Sequence, residues 1–394
     1  MVTDMFEHFE TEAIRIQTKR TGEKEHSTPL FLTSSFVFDD AEHARALFAE
    51  EVTGNQYTRF SNPNTTELID KLCALEQTED GIATASGMSA VFTSIFGLVK
   101  SGDHIVSARA IFGSTHQIFA NILPRFGVTT TYVDIAKPEE WEKAFQENTK
   151  IVYIETPSNP GLDIVDLEWV SALCKKKKAI LIVDNCFCSP YIQRPADFGA
   201  DVVIHSATKY LDGQGRVIAG VILGKKEFIQ PIRYMARNTG PSLSPMNAWI
   251  ISKSLETLAV RMDRHAENAM KLATFLSESK DVELVRYPFL PTDPGYAIAK
   301  KQMRSGGGIV SFVIKGGVER AKKFLDALKW FSLTANLGDT RTTVTHPTTT
   351  THSKLTEAER LAVGILPGLI RVSVGLEHID DIVAEVKQAL ANSK

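Results

Sequence analysis

Polar and apolar positions divide the chain into short buried runs and longer helical stretches. Residues 104–108, 150–155 (KIVYIE), 179–184 (AILIVD) and 202–204 are nearly unbroken apolar runs. Runs this short, without alternation, suit strands buried on both faces, the habit of a parallel sheet. Between them the period changes. Residues 65–77 carry Leu68, Leu72 and Leu75 at helical spacing, and 90–99 reads as an apolar helix. Residues 166–174 read as a capped helix with the basic run 175–178 at its end. This alternation over 65–225 predicts an α/β fold, a mainly parallel sheet wrapped by helices. After Gly240-Pro241, residues 245–276 read as one long helical stretch leading to a second unit. That unit has strands at 307–315 and 369–374 and helices near 319–329 and 378–391. Residues 1–60 are polar and turn-rich, with no core of their own. The pattern divides the chain into an arm (1–60), a large domain (61–255) and a smaller C-terminal α/β domain (256–394).

Bulk properties narrow the classes of function. A chain of 394 residues exceeds one typical core, in keeping with two domains. A formal charge of −3 and a pI near 6.4 argue against nucleic acid or another polyanion as partner. The first residues, MVTDMFEHFETEAIR, are acidic and lack the apolar core of a signal peptide. No apolar stretch approaches the ~18 residues that would span a membrane. Four cysteines, Cys73, Cys174, Cys186 and Cys188, suit a reduced cytoplasmic protein better than a disulfide framework. Cys186 and Cys188 have no second Cys/His pair near them in sequence, which argues against a zinc site.

The candidate chemistry gathers where the apolar runs end. The stretch 201–216, DVVIHSATKYLDGQGR, leaves a strand through Ser206 and Thr208 and presents Lys209. A lysine there, beside hydroxyl donors, suits a Schiff base with an aldehyde cofactor whose phosphate the hydroxyls hold. A surface lysine is the ordinary alternative. Asp184 closes the run AILIVD at the strand end where open α/β sheets bind ligands, so it can keep a pyridinium nitrogen protonated; a turn aspartate is its commoner fate. Small residues 86–89, including Gly87 and Met88, feed a helix N-terminus, which favours anions. Asn159 lies in the rigid loop TPSNP, where a plain turn is the alternative. Tyr57 and Arg59 fall on one side of an extended segment. Arg371 interrupts the apolar run LIRVSV, where a buried charge needs a partner; a bidentate carboxylate or a structural aspartate would serve. The tract 345–352 reads as a loop over the site, with His346 and His352 as polar loop residues rather than ligands.

Taken together, VDNCFCSP, HSATKYLDGQG and the motifs around them resemble the pyridoxal-phosphate enzymes of cysteine and methionine metabolism, over about residues 28–391. The resemblance implies a fold-type I transferase with a mainly parallel seven-stranded sheet and pyridoxal 5'-phosphate as cofactor. It implies that Lys209 carries the cofactor and moves protons, and that Asp184 faces the ring nitrogen. Gly87, Met88, Ser206 and Thr208 would hold the phosphate side, and Asn159 the phenolic oxygen. Phe112 would lie on the ring face, where most relatives carry tyrosine. Arg371 and Asn336, the latter a serine in close relatives, would take the substrate's α-carboxylate. Tyr57 and Arg59 would reach across a dimer interface within a homotetramer, in which the N-terminal arm lies on a neighbouring subunit. DGQGR, IFGST and NLGDTRTTVTHP resemble the branch that replaces the acyl group of O-succinylhomoserine with sulfide. Cystathionine γ-synthase, O-acetylhomoserine sulfhydrylase and methionine γ-lyase chemistry remain alternatives, as does a catalytically silent binding protein on the same fold.

Overall fold

The computed structural model describes residues 6–353 and 356–394. The first sheet has seven strands: β1 (Asp80–Thr84), β2 (His104–Ala108), β3 (Thr129–Val133), β4 (Thr149–Glu155), β5 (Ile180–Asp184), β6 (Val202–His205) and β7 (Gly220–Gly224). Their order is β1-β7-β6-β5-β4-β2-β3, parallel throughout except that β7 runs antiparallel to both neighbours. Strands β5 and β6 are buried along their whole length, as their unbroken apolar runs require. The register pairs Glu155 with Asp184, and Asp184 with Ile204, so two carboxylates stand side by side at the sheet's carboxyl edge. The loops that leave β4, β5 and β6 meet there.

Helix boundaries follow local chemistry. Ser86 and Ser89 form a reciprocal capping box that starts the helix Gly87–Leu98. Asp166 caps Leu167–Lys177, whose basic last turn faces the negative end of the dipole before Lys178 turns left-handed at φ 58°. The long helix expected over 245–276 is instead two, Pro245–Leu255 and Leu258–Ser277. At the break, the Ser254 carbonyl accepts from Arg261 Nη2 at 3.0 Å and from Thr257 Oγ1 at 3.2 Å. These side chains join a short-range bond from the Thr257 N–H at 3.2 Å, the helical ladder is interrupted, and the axis bends.

The second sheet comprises β8 (Val282–Arg286), β9 (Ile309–Ile314), β10 (Ser332–Leu333), β11 (Thr343–Thr345) and β12 (Leu369–Ser373), ordered β10-β11-β12-β9-β8. The helices Leu258–Ser277, Gly317–Asp326 and Ile379–Asn392 bury their apolar faces in the core of this sheet. Ser311 Oγ of β9 donates to the Pro160 carbonyl at 2.7 Å, stitching the second sheet to the loop after β4.

The arm divides into two parts. Its first half is tied to its own chain: Thr28 Oγ1 and the Thr18 N–H donate to Glu67 at 2.6 and 2.9 Å, and Trp249 Nε1 donates to the Thr28 carbonyl at 2.8 Å. Its second half presents apolar side chains to solvent, with Leu32 71% and Val37 96% exposed. Among the described residues no helix is long and apolar enough to cross a membrane.

Candidate active site

A cavity of about 400 Å³ opens where the loops after β4, β5 and β6 meet the second sheet. It brings together Gly87, Met88, Phe112, Asn159, Asp184, Ser206, Thr208, Lys209, Asn336 and Arg371. Tyr57 and Arg59 lie elsewhere, along a surface groove of the same chain. There Arg59 stacks on Phe60 at 4.6 Å and donates to the Arg237 carbonyl.

Lys209 follows β6 through a tight turn in which its N–H donates to the Ser206 carbonyl at 3.1 Å. Its Nζ donates to Asn336 Oδ1 at 2.6 Å. Burial lowers the pKa of this ammonium, and the Arg371 cation pushes the same way. The shift favours the neutral amine that a nucleophile or base requires. Gly338 keeps the opposing loop close: a β-carbon there would lie 2.7 Å from the Tyr210 nitrogen, and its φ of 75° suits glycine.

Asp184 accepts from the Cys186 N–H at 3.1 Å and from the Tyr153 hydroxyl at 3.4 Å. Among the described residues it has no ion-pair partner, and burial raises its pKa. Beside it Glu155 is also raised, first by burial and then by the charge of Asp184. Glu155 accepts the Phe112 N–H at 2.7 Å, which fixes the start of the segment carrying that ring. No sequence motif singles out Glu155, although it ends KIVYIE as Asp184 ends AILIVD.

Arg371 is 2% exposed. Its Nη1 donates to Asn159 Oδ1 at 2.9 Å, and its Nη2 to the Ala335 carbonyl at 2.9 Å. No carboxylate pairs with it among the described residues, and Nε has no hydrogen-bond partner there. The structural Arg–Asp pair is therefore not what this charge is for. Because Oδ1 of Asn159 is engaged, its amide N–H groups are left for a ligand oxygen. Thr351, from the threonine tract, lines the same cavity. His346 is a structural loop residue, bonded to Thr349 Oγ1 at 2.9 Å and to the Pro367 carbonyl at 2.8 Å.

Residues 10–391 match the model of the Cys/Met metabolism PLP-dependent enzymes. The chain belongs to that family. As a Cys/Met metabolism PLP-dependent enzyme it is 45% identical over 383 residues to an O-succinylhomoserine sulfhydrylase of Pseudomonas aeruginosa, covering 97% of this chain and 95% of the relative. It is 46% identical over 365 residues to an L-methionine gamma-lyase of Fusobacterium nucleatum subsp. nucleatum, covering 92% of each. A solved structure described as an O-acetylhomoserine (thiol)-lyase of Campylobacter jejuni superposes with a TM-score of 0.94 at 33% identity, over 98% of this chain and 100% of that one. That protein carries an N'-pyridoxyl-lysine-5'-monophosphate.

The residues present fit pyridoxal phosphate. A β-carbon on Gly87 would lie 2.7 Å from that of Ser206, so the helix N-terminus and the turn after β6 meet as a cradle with no spare room. Backbone N–H groups at such a helix start suit a phosphate. A buried carboxylate without a cation suits a protonated ring nitrogen.

Proposed function

We propose that the enzyme replaces the succinyl group of O-succinylhomoserine with sulfide, giving homocysteine and succinate. The observation that carries this choice is Phe112. It borders the cavity where a proton-donating hydroxyl would otherwise stand, and among the described residues of this chain no tyrosine lines that cavity. A thiolate, from a parent acid of pKa about 8.5, leaves poorly without a proton; a carboxylate, with about 4.3, leaves unaided. A ring position that carries no hydroxyl favours an ester over a thioether. The 45% identity to an O-succinylhomoserine sulfhydrylase supports the same reading.

Bound in the cavity, pyridoxal phosphate supplies an electron sink for charge developing on the substrate's α- and β-carbons. Lys209 would hold the cofactor; freed as a neutral amine, it would take the α-proton, pass it to the bound cofactor and, neutral again, take the β-proton. Asn336, 2.6 Å from Nζ, orients that amine between transfers. Asp184 maintains the ring nitrogen's positive charge, and the amide of Asn159 donates to the phenolic oxygen. Gly87, Met88, Ser206 and Thr208 enclose the phosphate side. Arg371 receives the α-carboxylate through Nε, already aligned by Asn159 and Ala335. Tyr57 and Arg59 complete the pocket of a second copy, and two such pairs make a homotetramer. The apolar half of the arm supports that assembly.

The test is a steady-state comparison of O-succinylhomoserine and O-acetylhomoserine, each with sulfide and with cysteine, alongside L-methionine alone. The succinyl ester with sulfide is expected to have the highest kcat/KM. Faster elimination from methionine would favour the γ-lyase reading instead.

A further inference from the structure

Beyond the ring of Phe112 lies a second cavity, of about 460 Å³, which shares Phe112, Asn159 and Thr351 with the catalytic one. Its walls also carry Arg109, His116 and His352, with no carboxylate side chain among the described lining residues. Arg109 stands just past β2, its backbone fixed by a 2.9 Å hydrogen bond to the Val133 carbonyl. Its exposed guanidinium has no side-chain hydrogen bond or ion pair among the described residues. The nearby carboxylate of Glu140 is already held by Lys137 at 3.2 Å and by the Asp134 N–H at 3.1 Å. Burial pushes His352 down to about 4, so it lines the wall as a neutral group, bonded to Thr351 Oγ1 at 2.8 Å.

We propose that this cavity is an acyl subsite, in which Arg109 binds the distal carboxylate of a dicarboxylic acid half-ester. The proposal rests on the reading of the substrate as O-succinylhomoserine. With the α-carboxylate on Arg371, the acyl group leaves past Phe112, and only an acyl chain ending in a second carboxylate has a charge to offer Arg109. An acetyl ester presents a methyl group there and gains nothing from the cation. Arg109 is thus a specificity residue, set apart from the proton chemistry on Lys209.

The test uses the holoenzyme and the variants Arg109→Ala, Arg109→Gln and Arg109→Lys. For Arg109→Ala and Arg109→Gln, the ratio of kcat/KM for O-succinylhomoserine to that for O-acetylhomoserine should fall about tenfold, chiefly through KM, the low end for a charge-assisted contact at an exposed site. Arg109→Lys should keep part of the preference. Calorimetry with free succinate should show correspondingly weaker binding to Arg109→Ala. If wild type prefers the succinyl ester and the ratio is unaltered in both neutral variants, the subsite is wrong and the substrate reading stands. If wild type prefers the acetyl ester, both fall.

Discussion

Lys209 is held by one hydrogen bond and depressed by burial, a state suited to a group that must be bonded, freed and protonated in turn. Lys209→Ala should lose nearly all turnover while still folding, since the side chain is only half-buried. Borohydride reduction of wild type followed by peptide mapping should place the pyridoxyl adduct on Lys209, and an adduct on another lysine would overturn the assignment. Phe112→Tyr should preserve the ring contact and most sulfhydrylase activity, and it should raise the elimination rate from methionine by restoring a proton donor. Phe112→Ala forfeits a contact worth about 0.5–1.5 kcal/mol, a three- to tenfold loss in kcat/KM. If Phe112→Ala matches wild type in kcat/KM and bound cofactor, the ring does not face the cofactor. Glu155 was the least visible of these residues in the sequence. A lone glutamate after a strand carries no motif, and only its register beside Asp184 shows what it does.

At the scale of elements, the site is a property of strand ends. β4, β5 and β6 were legible because burial on both faces leaves an unbroken apolar run. β3 (TTTYV) and β1 (DGIAT) were not, because threonine and glycine at the sheet's margins give no such signal. The two-residue strand β10 is shorter than any pattern. The paired carboxylates make a pH prediction. Glu155 has its folded pKa raised, so its stabilising contribution is complete below its unfolded value near 4.5 and is lost as pH climbs towards the raised one. Glu155→Gln cannot ionise, so its melting temperature relative to wild type should improve as pH rises above about 4.5; a constant difference would contradict a protonated Glu155. The cradle between the helix Gly87–Leu98 and the turn after β6 can be tested by Gly87→Ala. Its new methyl meets the Ser206 Cα at 3.1 Å, a backbone atom that cannot step aside. The apparent Kd for pyridoxal phosphate should rise about tenfold, as overpacking of ~1–3 kcal/mol requires. Unchanged affinity would remove Gly87 from the phosphate site.

At the scale of the whole molecule, a division of labour between copies would leave a distinct trace. If Tyr57 and Arg59 serve the partner's pocket, mixing inactive Lys209→Ala with inactive Arg59→Ala chains should restore part of the activity through hybrid sites. No recovery in verified hybrids would confine each site to one chain. Arg371 has a different reach. Its guanidinium belongs to β12 of the second sheet, yet it is bonded to Asn159 in the loop after β4 of the first, 212 positions away in the chain. A substrate carboxylate held on that group would brace a contact that already joins the two halves of the chain, as well as filling a pocket. Saturating the enzyme with an unreactive amino acid should make the two sheets melt together, in one sharper calorimetric transition, and Arg371→Ala should uncouple them.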